Sequence, residues 1–279
     1  MNGEFENTMP LTNTTNDHSI FDNNLTLRKY EFKTDKLSGK VKLLLLSDLH
    51  GCKHENLPAL IIDENPDAIL MAGDMFDFIA PLKNTEEFLK KIQGLCPMYY
   101  VTGNHEYKSR KINEIRFLLK NCGIDILSDF YKEIHVRESH FILAGVEDTS
   151  KKKSEDGSYS QEASMEKSFS ALLNSKKYKI LLAHRPERID LYRRFGFDLV
   201  LAGHTHGGQV RIPNLIPGLF ATGQGLFPKY VGGLYTLGDV DMIVSRGLSV
   251  NILRPRIFNP PELISIYISG TENESFSDN

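Results

Sequence analysis

Five stretches of this chain carry side chains able to grip a cation. They are Asp48-Leu49-His50, Gly73-Asp74 with Asp77 following, Gly103-Asn104-His105-Glu106, Ala183-His184, and Gly203-His204-Thr205-His206. Imidazole, carboxylate and amide oxygen together form the mixed nitrogen and oxygen shell that suits manganese, iron or zinc. Such a shell can hold divalent ions that activate water for hydrolysis. One Asp-x-His, or one histidine after an apolar run, is more often a structural residue. The joint pattern weighs more, because five of the nine histidines fall in these stretches.

Each stretch follows a short apolar run that reads as a buried strand, beginning with residues 41–46 and with AILMAGD. In α/β sheets, ligands gather outside the carboxyl ends of parallel strands. Residues two apart on a strand share a side. Asp48 with His50, and His204 with His206, are therefore expected to converge through strand alternation. Gly73, Gly103 and Gly203 allow unusual backbone angles or close approach where the chain leaves a strand.

Helices are expected between these strands. One covers 54–65. Another covers 84–95, with Asn84 as N-cap and Glu87 closing a capping box. A third, SRKINEIRFLLKNCG, places Ile112, Ile115, Leu118, Leu119 and Cys122 on one face and stops at Gly123. Two more cover 162–175 and 186–195. Residues 27–33 read as an edge strand, and 133–146 as a hairpin turning near Glu138 and Ser139. From Gln209 onward short strands dominate, QVRIP among them. Strand–helix alternation followed by a strand-rich third fits one α/β domain of two packed sheets flanked by helices, over 27–269. Residues 1–26 and 270–279 are polar and expected to be flexible.

The formal net charge is −3, with 41% hydrophobic and 25% charged residues. That balance is ordinary for a globular protein and gives no strong nucleic-acid signal. Cys52, Cys96 and Cys122 lack C-x-x-C spacing, so neither a disulfide framework nor a thiolate zinc site is expected. No secretion signal and no apolar run of about 20 residues is visible. The expectation is a cytoplasmic protein, with peripheral contact at the inner face of the membrane through 212–237. That segment carries Leu215, Ile216, Leu219, Phe220, Leu226, Phe227, Tyr230 and Tyr235 with little charge. It can pack down as core and turn, or form an apolar lip for a lipid-like substrate. No protein partner is identifiable.

The series DLH, GDMFD, GNHE, AHRPE and GHTH, in this order, resembles the calcineurin-like metallophosphoesterase superfamily. AHRPERIDLYRRFGFDLVLAGHTHGGQVRIP and RPRIFNPPELISIYI are similar to its bacterial YkuE/YaeI-like phosphodiesterase branch. The resemblance covers 42–268. It implies a four-layer α/β/β/α sandwich and two divalent ions (manganese, iron or zinc). It implies Asp48, His50 and His206 around the first ion, and Asn104, His184 and His204 around the second. Asp74 would bridge the two. His105 would protonate the leaving oxygen or stabilise transition-state charge.

Asp77 and Glu106 are candidates for orienting the ligand histidines. Arg185 and Arg246 are candidates for substrate phosphate or for salt bridges. His18, His54, His135 and His140 match no motif. The activity implied is a phosphodiesterase acting on a small or lipid-linked phosphate ester. Phosphomonoesterase, nuclease and non-catalytic scaffold are the alternatives. GDMFDF and TGNHE lack the arginines of the Ser/Thr protein phosphatase pattern.

Overall fold

Leu43 and Leu45 pack into one hydrophobic core, and Leu44 and Leu46 into another. Neighbours on a strand face opposite ways, so a strand buried on both faces needs cover on each. The computed structural model, which describes residues 7–9, 24–154, 157–212, 215–250 and 256–270, supplies that cover with a second sheet and outer helices.

In chain order the strands are β1 (Asn7–Met9), β2 (Thr26–Thr34), β3 (Lys40–Leu46), β4 (Ala68–Met71), β5 (Met98–Tyr100), β6 (Ile124–Ile126), β7 (Phe130–Val136), β8 (Ser139–Gly145), β9 (Tyr178–Leu182), β10 (Leu199–Ala202), β11 (Phe220–Ala221), β12 (Gly225–Leu226), β13 (Gly233–Leu237), β14 (Val240–Val244) and β15 (Glu262–Gly270). The α-helices are α1 (Leu57–Glu64), α2 (Leu82–Ile92), α3 (Asn104–Lys108), α4 (Ile112–Asn121), α5 (Lys151–Ser154), α6 (Gln161–Phe169) and α7 (Ile189–Tyr192). One sheet runs β1-β2-β15-β3-β4-β5-β6, and the other β13-β14-β10-β9-β8-β7. Strands β3 to β6 are parallel to one another, as are β8, β9, β10 and β14.

Leu43, Leu45 and Leu70 meet Leu143, Ile180, Leu182 and Leu201 between the sheets. On the outer side of the first sheet, Leu44, Leu46 and Met71 meet Leu57 and Ile61 of α1, Leu89 of α2 and Leu119 of α4. On the outer side of the second, Leu181, Val200 and Met242 meet Met165 and Phe169 of α6 and Tyr192 of α7. Each fully buried leucine or isoleucine adds about 1.5–3 kcal/mol. The result is the expected four-layer α/β/β/α sandwich.

Four local expectations need correction. β2 is not an edge: β15 pairs with it in parallel from Thr26↔Glu262 to Thr34↔Gly270, and β1 flanks it. Its alternating burial mimics an edge, while its partner lies far away in sequence. Helix α2 begins at Leu82 behind Pro81, with no side-chain cap. Asn84 sits inside it and donates from Nδ2 to the Gly51 carbonyl at 3.1 Å. The helix expected over 162–175 stops at Phe169 and tightens to a 3-10 turn over Ser170–Asn174. Residues 209–212 of QVRIP form no strand; they join their surroundings through the isolated bridges Val210↔Ile257 and Ile212↔Ile216.

Segment 212–237 divides between its two readings. Tyr230 is buried, whereas Leu226 and Phe227 are each 68% exposed. Among the described residues, no helix is long and apolar enough to cross a membrane. The expected flexible ends, apart from 7–9, 24–26 and Gly270, lie outside the described residues.

Candidate metal centre

The carboxyl ends of β3, β4 and β5 in one sheet and of β9 and β10 in the other open on the same point. Backbone bonds hold the departing loops side by side. Asp48 N donates to the Gly73 carbonyl and His50 N to the Asp74 carbonyl, each at 3.0 Å, and Gly203 N to the His184 carbonyl at 3.1 Å. His204 N donates to Asp48 Oδ2 at 2.9 Å, which ties the two sheets together.

Strand alternation does not bring the paired residues together. Asp48 and His50 lie beyond the end of β3, and His204 and His206 beyond β10. Asp48, His50, Asp74, His204 and His206 instead adopt left-handed backbone, with φ of 52, 51, 52, 74 and 50°. Non-glycine residues avoid that region, at about 1–3 kcal/mol each, and such strain concentrates at functional sites. Gly73 (φ +84°) is required by proximity: a Cβ there would stand 2.7 Å from Gly103 N and 2.8 Å from His184 Nδ1.

Two sets of donor atoms result. His50 Nε2 lies 3.3 Å from His206 Nε2, and Asp48 Oδ1 lies 3.9 and 3.6 Å from those nitrogens. His184 Nε2 lies 3.1 Å from His204 Nδ1 and 3.3 Å from Asp74 Oδ2. Asp74 Oδ2 is also 3.8 Å from His50 Nε2, so it stands between the sets. Asn104 Oδ1 is buried without a hydrogen-bond partner.

These donors fit a pair of cations. An ion with nitrogen and oxygen ligands at about 2.0–2.2 Å spaces those ligands about 3–3.5 Å apart. The outer ring nitrogens are anchored elsewhere: His184 Nδ1 at the Ala72 carbonyl (2.7 Å), His206 Nδ1 at Ser249 Oγ (3.0 Å) and His50 Nδ1 at Asp77 Oδ2 (3.0 Å). The Nε2 atoms of His50, His184 and His206 are thereby left facing inward, as bound histidines require.

Electrostatics agree with the geometry. Burial pushes the Asp48 carboxyl up. It also drives His204 and His206 well below the usual imidazole range, helped by the neighbouring His184 and His50 rings respectively. Burial opposes charge on His184, but Asp74 and Asp48 outweigh it and push the ring up to about 10. Asp74 resists its own burial and stays well below the ordinary carboxylate value, because His184, His50 and His105 face it. Protons compete here for positions that divalent cations would fill.

The remaining predicted residues divide. Asp77 Oδ2 accepts from His105 Nδ1 at 2.8 Å as well as meeting His50, so one carboxylate orients both rings. Glu106 touches backbone instead of the ligand histidines. It accepts from Asp74 N (3.0 Å), Phe76 N (3.0 Å) and Gly103 N (2.8 Å), locking the loops after β4 and β5 together. Burial, with Asp74 nearby, raises its carboxyl to about 7. Arg185 donates to both oxygens of Asp148, at 2.7 and 3.3 Å, and sets Nη1 3.1 Å from His204 Nε2. Arg246 is buried, and Glu262 engages its Nε at 3.6 Å and its backbone N at 2.8 Å. Its side chain is neither a surface salt bridge nor part of the cluster.

Several supports escaped sequence reasoning. Ser249 anchors His206, and Asn259 Nδ2 donates to the His206 carbonyl at 2.7 Å. Buried Arg256 donates from Nε to the Ser249 carbonyl at 2.7 Å and from Nη2 to the Gly247 carbonyl at 3.3 Å. Asn259 and Arg256 fall in RPRIFNPP, which stood out only through resemblance.

A family model described as calcineurin-like phosphoesterase matches residues 41–208. An uncharacterized metallophosphoesterase of Campylobacter jejuni is 32% identical over 253 residues, covering 88% of this chain. The chain spans only 63% of that relative's length. The phosphodiesterase YaeI of Escherichia coli is 30% identical over 217 residues, covering 74% of each chain. The NAD nucleotidase of Haemophilus influenzae shares the fold, with a TM-score of 0.55 at 16% identity over 77% of this chain and 46% of its own.

Proposed function

This chain belongs to the calcineurin-like phosphoesterase family, and on that premise we propose that it hydrolyses phosphodiesters at a centre of two divalent ions. The observation that carries the proposal is the pair of triads Asp48–His50–His206 and Asp74–His184–His204, each with donor atoms within 4.8 Å of one another. Asn104 adds its amide oxygen to the second triad, and Asp74 serves both.

The ions, manganese, iron or zinc, supply positive charge for the phosphate oxygens and lower the pKa of the attacking water. The chain's own groups do the rest. His105, held at Nδ1 by Asp77, presents Nε2 to the leaving oxygen and delivers a proton there. Arg185, clamped by Asp148, adds fixed positive charge beside His204, where a phosphate oxygen would sit.

Two apolar surfaces border the centre. Exposed Phe78 lies against the His105 ring, tilted at 49° with centroids 5.0 Å apart, and exposed Ile79 follows it. On the other side, the β11–β12 hairpin brings Gly223 over His204: a Cβ there would lie 3.6 Å from His204 Nε2. That hairpin exposes Phe220 and Leu226, and Phe227 follows. This supports a lipid-linked phosphodiester as substrate, taken up at a membrane surface. The name of the Escherichia coli relative supports the diester preference.

The test compares manganese-loaded enzyme on bis(p-nitrophenyl) phosphate, p-nitrophenyl phosphate and a lipid-linked phosphodiester. Higher kcat/KM on the diesters, and highest on the lipid-linked one, is expected. Faster hydrolysis of the monoester contradicts the proposal.

A further inference from the structure

The β7–β8 hairpin carries a second set of metal-binding groups unrelated to the centre above. His135 and His140 are direct cross-strand partners, and Glu133 lies two residues before His135 on the same face of β7. All three side chains are exposed, and one ligand atom from each falls within 4.8 Å of the others. The imidazole rings meet edge to face at 4.4 Å, with their Nδ1 atoms in contact. Glu133 Oε1 lies 3.6 Å from His135 Nε2.

We propose that Glu133, His135 and His140 form a surface site for a divalent zinc-like cation, independent of the phosphoesterase centre. Two imidazoles and one carboxylate are a donor set for borderline first-row ions. Two ring nitrogens in contact share a proton, and a cation taken by both would replace that proton and set them about 3–3.5 Å apart. A directly opposed strand pair fixes two of the donors, so binding orders few further torsions. The cation would pin the two strands near the turn, at the outer edge of the second sheet, since β7 is its terminal strand. Positions left open would take water.

One neighbour opposes the cation. Lys177 pairs with Glu133, and its ammonium occupies charge space the ion would share. Burial plays no part in this balance, since all four side chains are exposed or nearly so, and solvent screens the lysine. The cation therefore wins at concentrations that the weaker ammonium contact cannot resist.

The experiment is a calorimetric titration of zinc-loaded holoenzyme, with both centre positions already filled, against further zinc. A third equivalent with micromolar affinity is expected. His135→Ala and His140→Ala should each weaken it at least tenfold. Lys177→Gln should bind severalfold tighter, and hydrolysis of bis(p-nitrophenyl) phosphate should be unchanged in all three. Binding that stops at two equivalents, a third equivalent that survives both histidine substitutions, or weaker binding in Lys177→Gln would each overturn the site. Because turnover is read separately, failure here leaves the phosphoesterase reading standing.

Discussion

Asp74 meets both donor triads, accepts from His105 N at 2.7 Å through Oδ1, and is held through its own N–H by Glu106. Asp74→Ala is therefore predicted to lose bound metal and turnover together, as read by elemental analysis and diester hydrolysis. His105 lies outside the two triads but within 4.8 Å of ligand atoms of His50 and Asp74, with its Nδ1 held by Asp77. His105→Ala should keep its metal content and lose roughly 10²–10⁴ in kcat. Metal loss in that variant would refute its role. At this scale the sequence was informative wherever chemistry resides in residue type. Aspartate, asparagine and histidine after apolar runs announce themselves. Arg256 and Asn259 do not, and Glu106 stood out without its role, because all three act on backbone groups, which every residue carries.

At the scale of elements, the loops after β4 and β5 touch at Gly73. Gly73→Ala is predicted to displace Gly103 or His184 and to lose metal, with far-UV circular dichroism unchanged and stability reduced by about 1–3 kcal/mol. A second prediction concerns α1. Its terminal Glu64 receives Lys29 Nζ at 2.9 Å and Ser265 Oγ at 3.0 Å, linking the helix to β2 and β15. Burial works to raise this carboxyl, but those partners outweigh it and hold it below its ordinary value. The charged form is thus favoured by folding. Its stabilisation is present above the unfolded value of about 4.3 and is lost as pH falls through the lower folded value. Glu64→Gln should lose up to about 1 kcal/mol in urea denaturation at neutral pH, with the difference vanishing in acid. An equal difference at both pH values would contradict this origin. Strands buried on both faces were legible as continuous apolar runs. The β2–β15 pairing was not, since register between distant segments leaves no local mark. Nor were the left-handed turns at Asp48, His50, Asp74, His204 and His206, because strain there is imposed by the assembled loops.

For the whole molecule, face-to-face packing of two sheets aims five strand ends at one point and leaves their loops to form the rim. The rim is where pattern reading was weakest. Residues 212–237 have a composition compatible with core or with surface, and only the fold separates buried Tyr230 from exposed Leu226 and Phe227. If that rim takes an apolar group, Leu226→Ser with Phe227→Ser should lower kcat/KM on a lipid-linked diester about thirtyfold, from roughly 1 kcal/mol of lost contact per side chain. Hydrolysis of bis(p-nitrophenyl) phosphate should stay within about twofold, since the substitutions leave the donor triads untouched. Equal losses on both substrates would show that the rim acts through the centre and not through an apolar contact.

Two cations, one at each triad with Asp74 between them, are proposed to perform the hydrolysis. Titrating manganese into metal-stripped protein while measuring bound equivalents and bis(p-nitrophenyl) phosphate turnover tests this most directly. The rate should stay low through the first equivalent and rise to its plateau as the second is filled. A plateau at one equivalent, turnover in the stripped protein, or two bound equivalents without turnover would contradict it.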